Sequence, residues 1–421
     1  MSDKSTNISI LLLYALVVCL PFQSYMYDKF LGEGLNPINI LMLLILGAMF
    51  SRKTIMCKDY KTVRILLVVF LLISIVSSAI NLNVFSQFEF IVMWKRYFLL
   101  MLLVFVAYRV VSSEKEFNTI TLIVSIATLI VAIQLLKNTY EYRNVFFKDW
   151  MKYGGVFGEG GENDLGAFLT MNFFWFLYWY FESRTSMVKA AAIFGGAVTL
   201  FACLFCFSRG AYVGLAGGVF WFGLRRSKLI WVVLLIAAIT IPIWAPTSVK
   251  TRFDSLTDSN KVEKDASAQS RLILWGGALK MSADHPFIGV GPDNFSDRIT
   301  DYISMPAGWP KVSHNMYLRY MAELGFIGGI VFFVLILSLI VKGNKLSKIS
   351  TGWAKNWSTS YTSFIISVSI ANWFGDRFIR EELTGYIWII SGMMLKLLAM
   401  QGQEEQKAVP AKASSIYRFS S

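Results

Sequence analysis

Two histidines occur in the chain, His285 and His314, and one of them stands where a catalytic base would be useful. An imidazole has an ordinary pKa of about 6.5, which suits general-base catalysis near neutral pH. His314 comes shortly before a long apolar segment, so a base there would meet substrates whose polar parts lie in water and whose tails lie in lipid. The alternative for His314 is an interfacial histidine bonded to backbone or headgroups. His285 precedes Pro286 at the end of a predicted helix, and we interpret it as structural.

Arginines near the same predicted interface indicate a phosphate ligand. Arg209 lies between two apolar segments, in a connection too short to carry it far into water, and charges so close to a membrane interior are functional candidates. Arg271 lies on a predicted amphipathic helix over residues 270–282. A guanidinium binds two phosphate oxygens at once and stays charged at any relevant pH, so Arg209 and Arg271 predict a diphosphate site. Secondary candidates for this site are Lys95, Arg96, Asn315 and Arg319. For the cations among these, the alternative is contact with lipid headgroups.

The elements that position these residues are predicted to be membrane helices. With 55% hydrophobic residues, 16% charged residues and a mean hydropathy of +0.54, the chain is excluded from the class of soluble globular proteins. The fold class expected is an all-α polytopic membrane protein with about 12 transmembrane helices. The apolar segments lie near residues 8–25, 37–50, 64–81, 91–108, 118–136, 165–181, 188–207, 210–224, 229–245, 324–341, 358–374 and 384–400.

The net charge of +13 is explained by membrane orientation rather than by nucleic-acid binding. Lys and Arg cluster in alternate connections, and such clusters mark the cytoplasmic side of a membrane protein. Both termini are therefore predicted to be cytoplasmic. The clusters lie at residues 52–64, 109–115, 184–189, 225–228 and 342–355.

Four regions follow from this topology. Residues 1–244 hold spans 1–9, residues 245–317 form a large, mainly helical external loop, and residues 318–400 hold spans 10–12. The polar tail at 401–421 is expected to be cytoplasmic and disordered. The loop at 245–317 is formally neutral and is where extramembrane chemistry is expected.

Several kinds of chemistry are not indicated. The apolar cores of the predicted spans contain no Asp or Glu, which weighs against ion-coupled transport. No Asp-x-Asp or His-x-x-x-His pattern suggests a metal site, and no glycine-rich phosphate loop suggests ATP hydrolysis. We therefore expect phosphate chemistry with no metal and no cofactor.

The motifs together resemble the bacterial O-antigen ligase and polymerase family of membrane glycosyltransferases. They are Ser208-Arg209-Gly210, Arg271 on its helix, the Gly-x-Gly-Pro-x-Asn-Phe turn at 289–295, and His314-Asn315 followed after nine residues by Gly325-x-x-Gly328. The last spacing is most similar to the ligase branch. Residues 156–168 look like a divergent form of the family's glycine-rich segment, with Glu162 before Asn163 where the family often has proline.

The resemblance implies an inverting, metal-independent glycosyltransferase of GT-C-like fold. It would transfer O-antigen glycan from undecaprenyl diphosphate to lipid A-core at the periplasmic face of the Gram-negative inner membrane. His314 would be the general base that activates the acceptor hydroxyl, and Arg209 and Arg271 would hold the diphosphate and stabilise its charge.

Two alternatives remain open at this stage. A polymerase of O-antigen or another surface polysaccharide shares most of these motifs. A transporter of lipid or glycan with a periplasmic gate belongs to a different class, although no internal repeat is visible in the sequence.

Overall fold

The computed structural model describes residues 2–27, 37–49, 57–81, 94, 98–142, 154–158, 160–232, 236, 239, 266–305 and 311–416. Every regular element among these residues is helical, and no strand occurs among them. The all-α fold class is therefore confirmed. Lys95 and Arg96 lie outside the described residues, as do most of the predicted ninth span and the first part of the external loop.

The main helices are α1 (Ser2–Cys19), α2 (Pro37–Met49), α3 (Lys58–Ile80), α4 (Leu103–Val110), α5 (Glu114–Glu141), α6 (Glu162–Glu182), α7 (Ser186–Leu204), α8 (Arg209–Arg225), α9 (Ala266–Asp284), α10 (Met316–Ile349), α11 (Gly352–Ala371) and α12 (Glu381–Ile416). Short helical turns at Leu20–Phe22, Gln23–Tyr27, Leu99–Leu102, Gly155–Phe157, Phe295–Arg298, Ile299–Asp301, Asn372–Phe374 and Arg377–Ile379 lie between them.

Five of these helices are long and apolar enough to cross a membrane. They lie at Lys58–Ile80, Glu114–Glu141, Ser186–Leu204, Met316–Ile349 and Glu381–Gln403, and shorter apolar helices occur at Ile8–Phe22, Pro37–Gly47 and Leu99–Val110. Their large side chains are exposed on the outside of the bundle, for example Leu43 (68%) and Phe194 (61%), as a lipid-facing surface requires. The chain is a multi-pass membrane protein, and the number of twelve spans stays a prediction.

Helix α8 packs closely on α11 through small residues. Gly210, Gly214 and Gly218 repeat every fourth residue, and that spacing lines one face of a helix. A Cβ built on Gly214 would lie 2.5 Å from the Ser367 carbonyl oxygen, so the backbones meet without an intervening side chain. This contact fixes the position of Arg209, the first residue of α8.

Helix α10 is broken at Gly325, whose φ of +73° is outside the helical region. The turn at 286–291 fits into this break. The Phe326 amide donates to the Pro286 carbonyl at 2.8 Å, and the amides of Val290 and Gly291 donate to the carbonyls of Ala322 and Glu323, each at 3.0 Å. The two glycine motifs noticed in the sequence are thus the two halves of one joint.

The last helix, α12, continues to Ile416, past the predicted end of the last span at residue 400. A helix therefore occupies most of the segment for which the sequence predicts a disordered tail. Gln, Glu, Lys and Ala at residues 401–408 favour helix, and the disorder of the tail at 401–421 stays a prediction.

Candidate functional site

Five segments separated in sequence meet at one end of the bundle. They are the start of α6, the turn before α8, helix α9, residues 313–319, and the turn at 372–380. A Cβ on Gly166 would lie 3.1 Å from the Ser208 Cβ, and one on Gly210 would lie 2.7 Å from the Phe374 Cβ. The Trp275 indole of α9 donates to the Ser313 carbonyl at 3.1 Å. These contacts bring the predicted base and the predicted diphosphate site to the same place.

His314 is partly buried in this cluster with a left-handed backbone, φ +52°. Such a conformation is unfavourable for a residue with a Cβ and needs support from its surroundings. The support comes from both neighbours: the Ser313 hydroxyl donates to Asp376 Oδ1 at 2.8 Å, and the Asn315 amide donates to the Ser313 hydroxyl at 3.1 Å. These bonds hold the main chain on both sides of His314 in place.

Burial lowers the pKa of His314 below its ordinary value. The carboxylates of Asp376 and Asp164 oppose this shift, whereas the guanidiniums of Arg271 and Arg377 add to it. A lowered pKa keeps the imidazole neutral at neutral pH, and only the neutral form accepts a proton. The same interactions show that Arg271 and His314, predicted separately from the sequence, lie near each other.

Arg209 begins α8 at the same end, directly after Phe207 and Ser208. Phe207 has a φ of +49°, so the turn that presents Arg209 is also left-handed. The next residue, Gly210, contacts Phe374, two positions before Asp376. The main chain of Arg209 therefore lies at the edge of the cluster that contains His314.

Arg319 is engaged by carboxylates. Its guanidinium bonds Asp293 Oδ1 at 2.9 Å, Glu323 Oε1 at 2.8 Å and Asp376 Oδ2 at 3.0 Å. Arg319 is 4% exposed and Glu323 is fully buried. This arrangement favours a positioning role for Arg319, which holds Asp376 beside His314, over the diphosphate binding that the sequence suggested.

Asn315 has a defined structural task as the N-cap of α10. Its side-chain oxygen accepts hydrogen bonds from the amides of Tyr317 at 3.1 Å and Leu318 at 3.2 Å. These are donors that the first turn of a helix leaves unpaired. The Asn of the His-Asn pair therefore orients the residue before it.

Sequence reasoning missed the charged residues of the turn at 372–380 and their partner on α6. Arg377 is buried, with Nε 3.9 Å from Asp164 Oδ1, and Arg380 Nε lies 2.6 Å from Asp164 Oδ2. Arg377 also donates to the Asn163 carbonyl at 3.3 Å. The signal was present: residues 374–382 contain five charges between two apolar segments, in a connection predicted to face the same side as His314.

Residues 194–333 match the model of a family described as O-antigen ligase. The match covers 140 of the 421 residues of the chain (194 to 333). No curated protein matches the chain.

The segment that matches the O-antigen ligase family begins within α7 and ends within α10, and it contains Arg209, Arg271 and His314. Family members are glycosyltransferase-like membrane enzymes that act as ligases or polymerases. Asp164, Asp376 and Arg377 lie outside the matched segment. The cluster around His314 is therefore completed by helices on both sides of the family domain.

Proposed function

We propose that this protein is an O-antigen ligase that joins glycan from undecaprenyl diphosphate to lipid A-core. The observation that carries the proposal is the neutral, partly buried His314 with Arg271 and Arg377 near it. A base beside fixed cations is what glycosyl transfer from a diphosphate needs, because a proton is removed at one point while negative charge develops at another.

In the proposed reaction, His314 accepts the proton of an acceptor hydroxyl on the core sugar. The hydroxyl oxygen attacks the anomeric carbon of the donor glycan, and the bond from that carbon to the diphosphate oxygen breaks. The electron pair of the broken bond leaves with undecaprenyl diphosphate, whose charge is stabilised by Arg209 and Arg271. One displacement inverts the anomeric centre.

Asp376 has a supporting role in this mechanism. Its carboxylate opposes the pKa lowering at His314 and will favour the imidazolium that forms when the proton arrives. Because Asp376 is held by both Ser313 and Arg319, it cannot swing into the place of the diphosphate. Asp376 is thus a positioning residue rather than a substrate ligand.

The arrangement of helix ends supports a periplasmic site. The connections predicted to be external meet around His314, whereas predicted cytoplasmic residues pair at the other end. There, Lys342 Nζ lies 2.9 Å and Lys345 Nζ 2.8 Å from the Asp59 carboxylate. With the basic clusters in the cytoplasm, His314 faces the periplasm, where lipid-linked glycan and lipid A-core would meet.

The test is transfer by the purified protein between a defined undecaprenyl-diphosphate-linked glycan and lipid A-core, with and without chelator. Wild-type protein should form glycosylated lipid A-core at an unchanged rate in chelator. His314→Ala should abolish transfer, and its matched control is His285→Ala, which removes the second imidazole of the chain at an exposed position. Loss of transfer in both variants, or in neither, would overturn the assignment of the base.

A polymerase is the second candidate because the matched family includes such enzymes. A strain lacking the protein distinguishes the two. Complete loss of O-antigen from lipopolysaccharide supports the ligase, whereas caps of a single repeat unit would support the polymerase. A protein that moves lipid-linked glycan without transferring sugar would be a transporter.

A further inference from the structure

A cavity of about 430 Å³ lies between α3 and α4, away from the cluster around His314. The start of α3 is tied through Asp59 to Lys342, 26 residues beyond the first residue of α10. Of these 26 residues, the 17 that follow the break at Gly325 form a continuous helix, which is roughly 25 Å long at 1.5 Å per residue. This cavity therefore belongs to the opposite end of the bundle, and its occupant is independent of the proposed transfer reaction.

The charged mouth of this cavity is formed by two arginines from different helices. Arg64 lies in the second turn of α3 and Arg109 in the last turn of α4, and both line the cavity. Both guanidiniums also interact electrostatically with the hydroxyl of Tyr60, which lines the same cavity. Two guanidiniums and a phenol at one mouth match the oxygens of a phosphate group.

The deeper wall of the cavity is apolar on both helices. Val68 follows Arg64 by four residues and Phe105 precedes Arg109 by four, so each apolar residue lies one turn further from the helix end than its arginine. Ile65 and Val68 are 49% and 42% exposed, which places them on the lipid-facing surface. The groove thus has a cationic end formed by Arg64 and Arg109 and an apolar wall that continues from it toward the lipid-facing surface.

We propose that this groove binds an anionic phospholipid, with its phosphate on Arg64 and Arg109 and an acyl chain along Val68 and Phe105. Isolated arginines near a membrane face often reach toward headgroups without forming a site. Here two arginines on neighbouring helices open into the same cavity, and the apolar continuation selects a lipid over a soluble phosphate.

The experiment measures lipid retained by the purified full-length protein in detergent. The protein is incubated with phosphatidylglycerol or with phosphatidylcholine of the same acyl chains, and bound lipid is counted by native mass spectrometry. Wild-type protein should retain phosphatidylglycerol at least tenfold better. The double substitution Arg64→Gln/Arg109→Gln should abolish this preference, so that the two lipids are retained about equally.

The matched control is Arg184→Gln/Lys189→Gln, which removes two cations from another connection on the same predicted face. This control should keep the wild-type preference. Equal loss in both double variants would indicate a general attraction to basic surface, and wild-type retention in the Arg64/Arg109 variant would show that the groove is not the site. Either result overturns the proposal.

Three further experiments distinguish a bound lipid from free phosphate, test the groove with variants other than the arginine substitutions, and locate the bound lipid. Glycerol phosphate at the same concentration should leave phosphatidylglycerol bound, and displacement would indicate a simple anion site. Val68→Trp fills the groove from the lipid side and should abolish retention, whereas Val76→Trp, two turns further on an exposed position (51%), should not. A photoactivatable phosphatidylglycerol should label wild-type protein in α3 or α4, and labelling only elsewhere would overturn the proposal.

Discussion

At the residue scale, the protonation of His314 depends on charges contributed by three other segments. Burial, Arg271 and Arg377 lower its pKa, and Asp376 and Asp164 raise it. A base tuned in this way can stay neutral while remaining close to a carboxylate that stabilises its protonated form. The pH dependence of activity should therefore follow the charges around His314, and stability should depend on Arg319, which holds the Asp376 carboxylate.

The acidic limb of the pH profile of kcat/KM should lie below the ordinary imidazole value of about 6.5. The reason is that a lowered pKa keeps His314 neutral to lower pH, so activity is lost only as pH falls through the lowered value. Asp376→Asn removes a charge that raises the pKa and should move the limb lower still. Arg271→Gln removes a charge that lowers the pKa and should move the limb higher, alongside its loss of rate. A shift of the acidic limb in the same direction in Asp376→Asn and Arg271→Gln would contradict this explanation.

Replacement of Arg319 should cost stability as well as activity. Arg319→Met leaves the buried carboxylates of Glu323 and Asp376 without their cation, which typically costs about 3–5 kcal/mol. The control Arg298→Met breaks an exposed pair with Asp301 and should change stability by less than about 0.5 kcal/mol. Thermal unfolding in detergent measures both. An unchanged transition in Arg319→Met would instead fit a residue that only binds substrate.

At the element scale, the site depends on a joint between α10 and the turn that follows α9. The break at Gly325 lets the chain turn back toward the carbonyls of residues 286 and 287, and the cross-bonds to Ala322 and Glu323 hold it there. Glu323 lies at this joint and binds Arg319, so the joint and the carboxylate network share a residue. A disturbance of the glycine should therefore reach the site.

Gly325→Ala should destabilise the protein by at least about 1–2 kcal/mol, because a left-handed backbone disfavours a Cβ. The added atom would also lie 2.5 Å from the Phe287 carbonyl carbon. Gly276→Ala is the control, since nothing lies within 4 Å of a Cβ there and Ala favours helix over Gly by about 1 kcal/mol. Opposite shifts in the unfolding temperature are expected. A Gly325→Ala transition at or above that of wild type would refute the joint as a structural element.

At the scale of the whole molecule, the charged residues separate into two groups at the two ends of the bundle. The end around His314 combines arginines with buried carboxylates, whereas the other end pairs Asp59 with Lys342 and Lys345. Apolar side chains exposed between the two ends face lipid. The two ends should therefore lie on opposite sides of the membrane.

Cysteine labelling tests this separation. In a background where the four natural cysteines are replaced by serine, Thr300→Cys and Lys345→Cys introduce single thiols at exposed positions on the two ends. An impermeant maleimide should label residue 300 in cells with a permeabilised outer membrane, and residue 345 only after the inner membrane is disrupted. The reverse pattern would place His314 in the cytoplasm and end the periplasmic proposal.

The sequence alone was sufficient for the helical membrane class, because long apolar segments are a local signal. It also proposed His314, Arg209 and Arg271 as site residues, and their roles stay predictions. The tertiary structure decided the rest. Arg319 is engaged by carboxylates and Asn315 caps a helix, contacts that the sequence did not indicate. Asp164 lies 213 residues before Arg377 in the chain (377 − 164), yet the two side chains are close in space. A partner on a distant helix leaves no trace in local spacing, since contact is set by packing rather than by separation along the chain. The role of a charged residue in this protein is therefore determined by its neighbours in space.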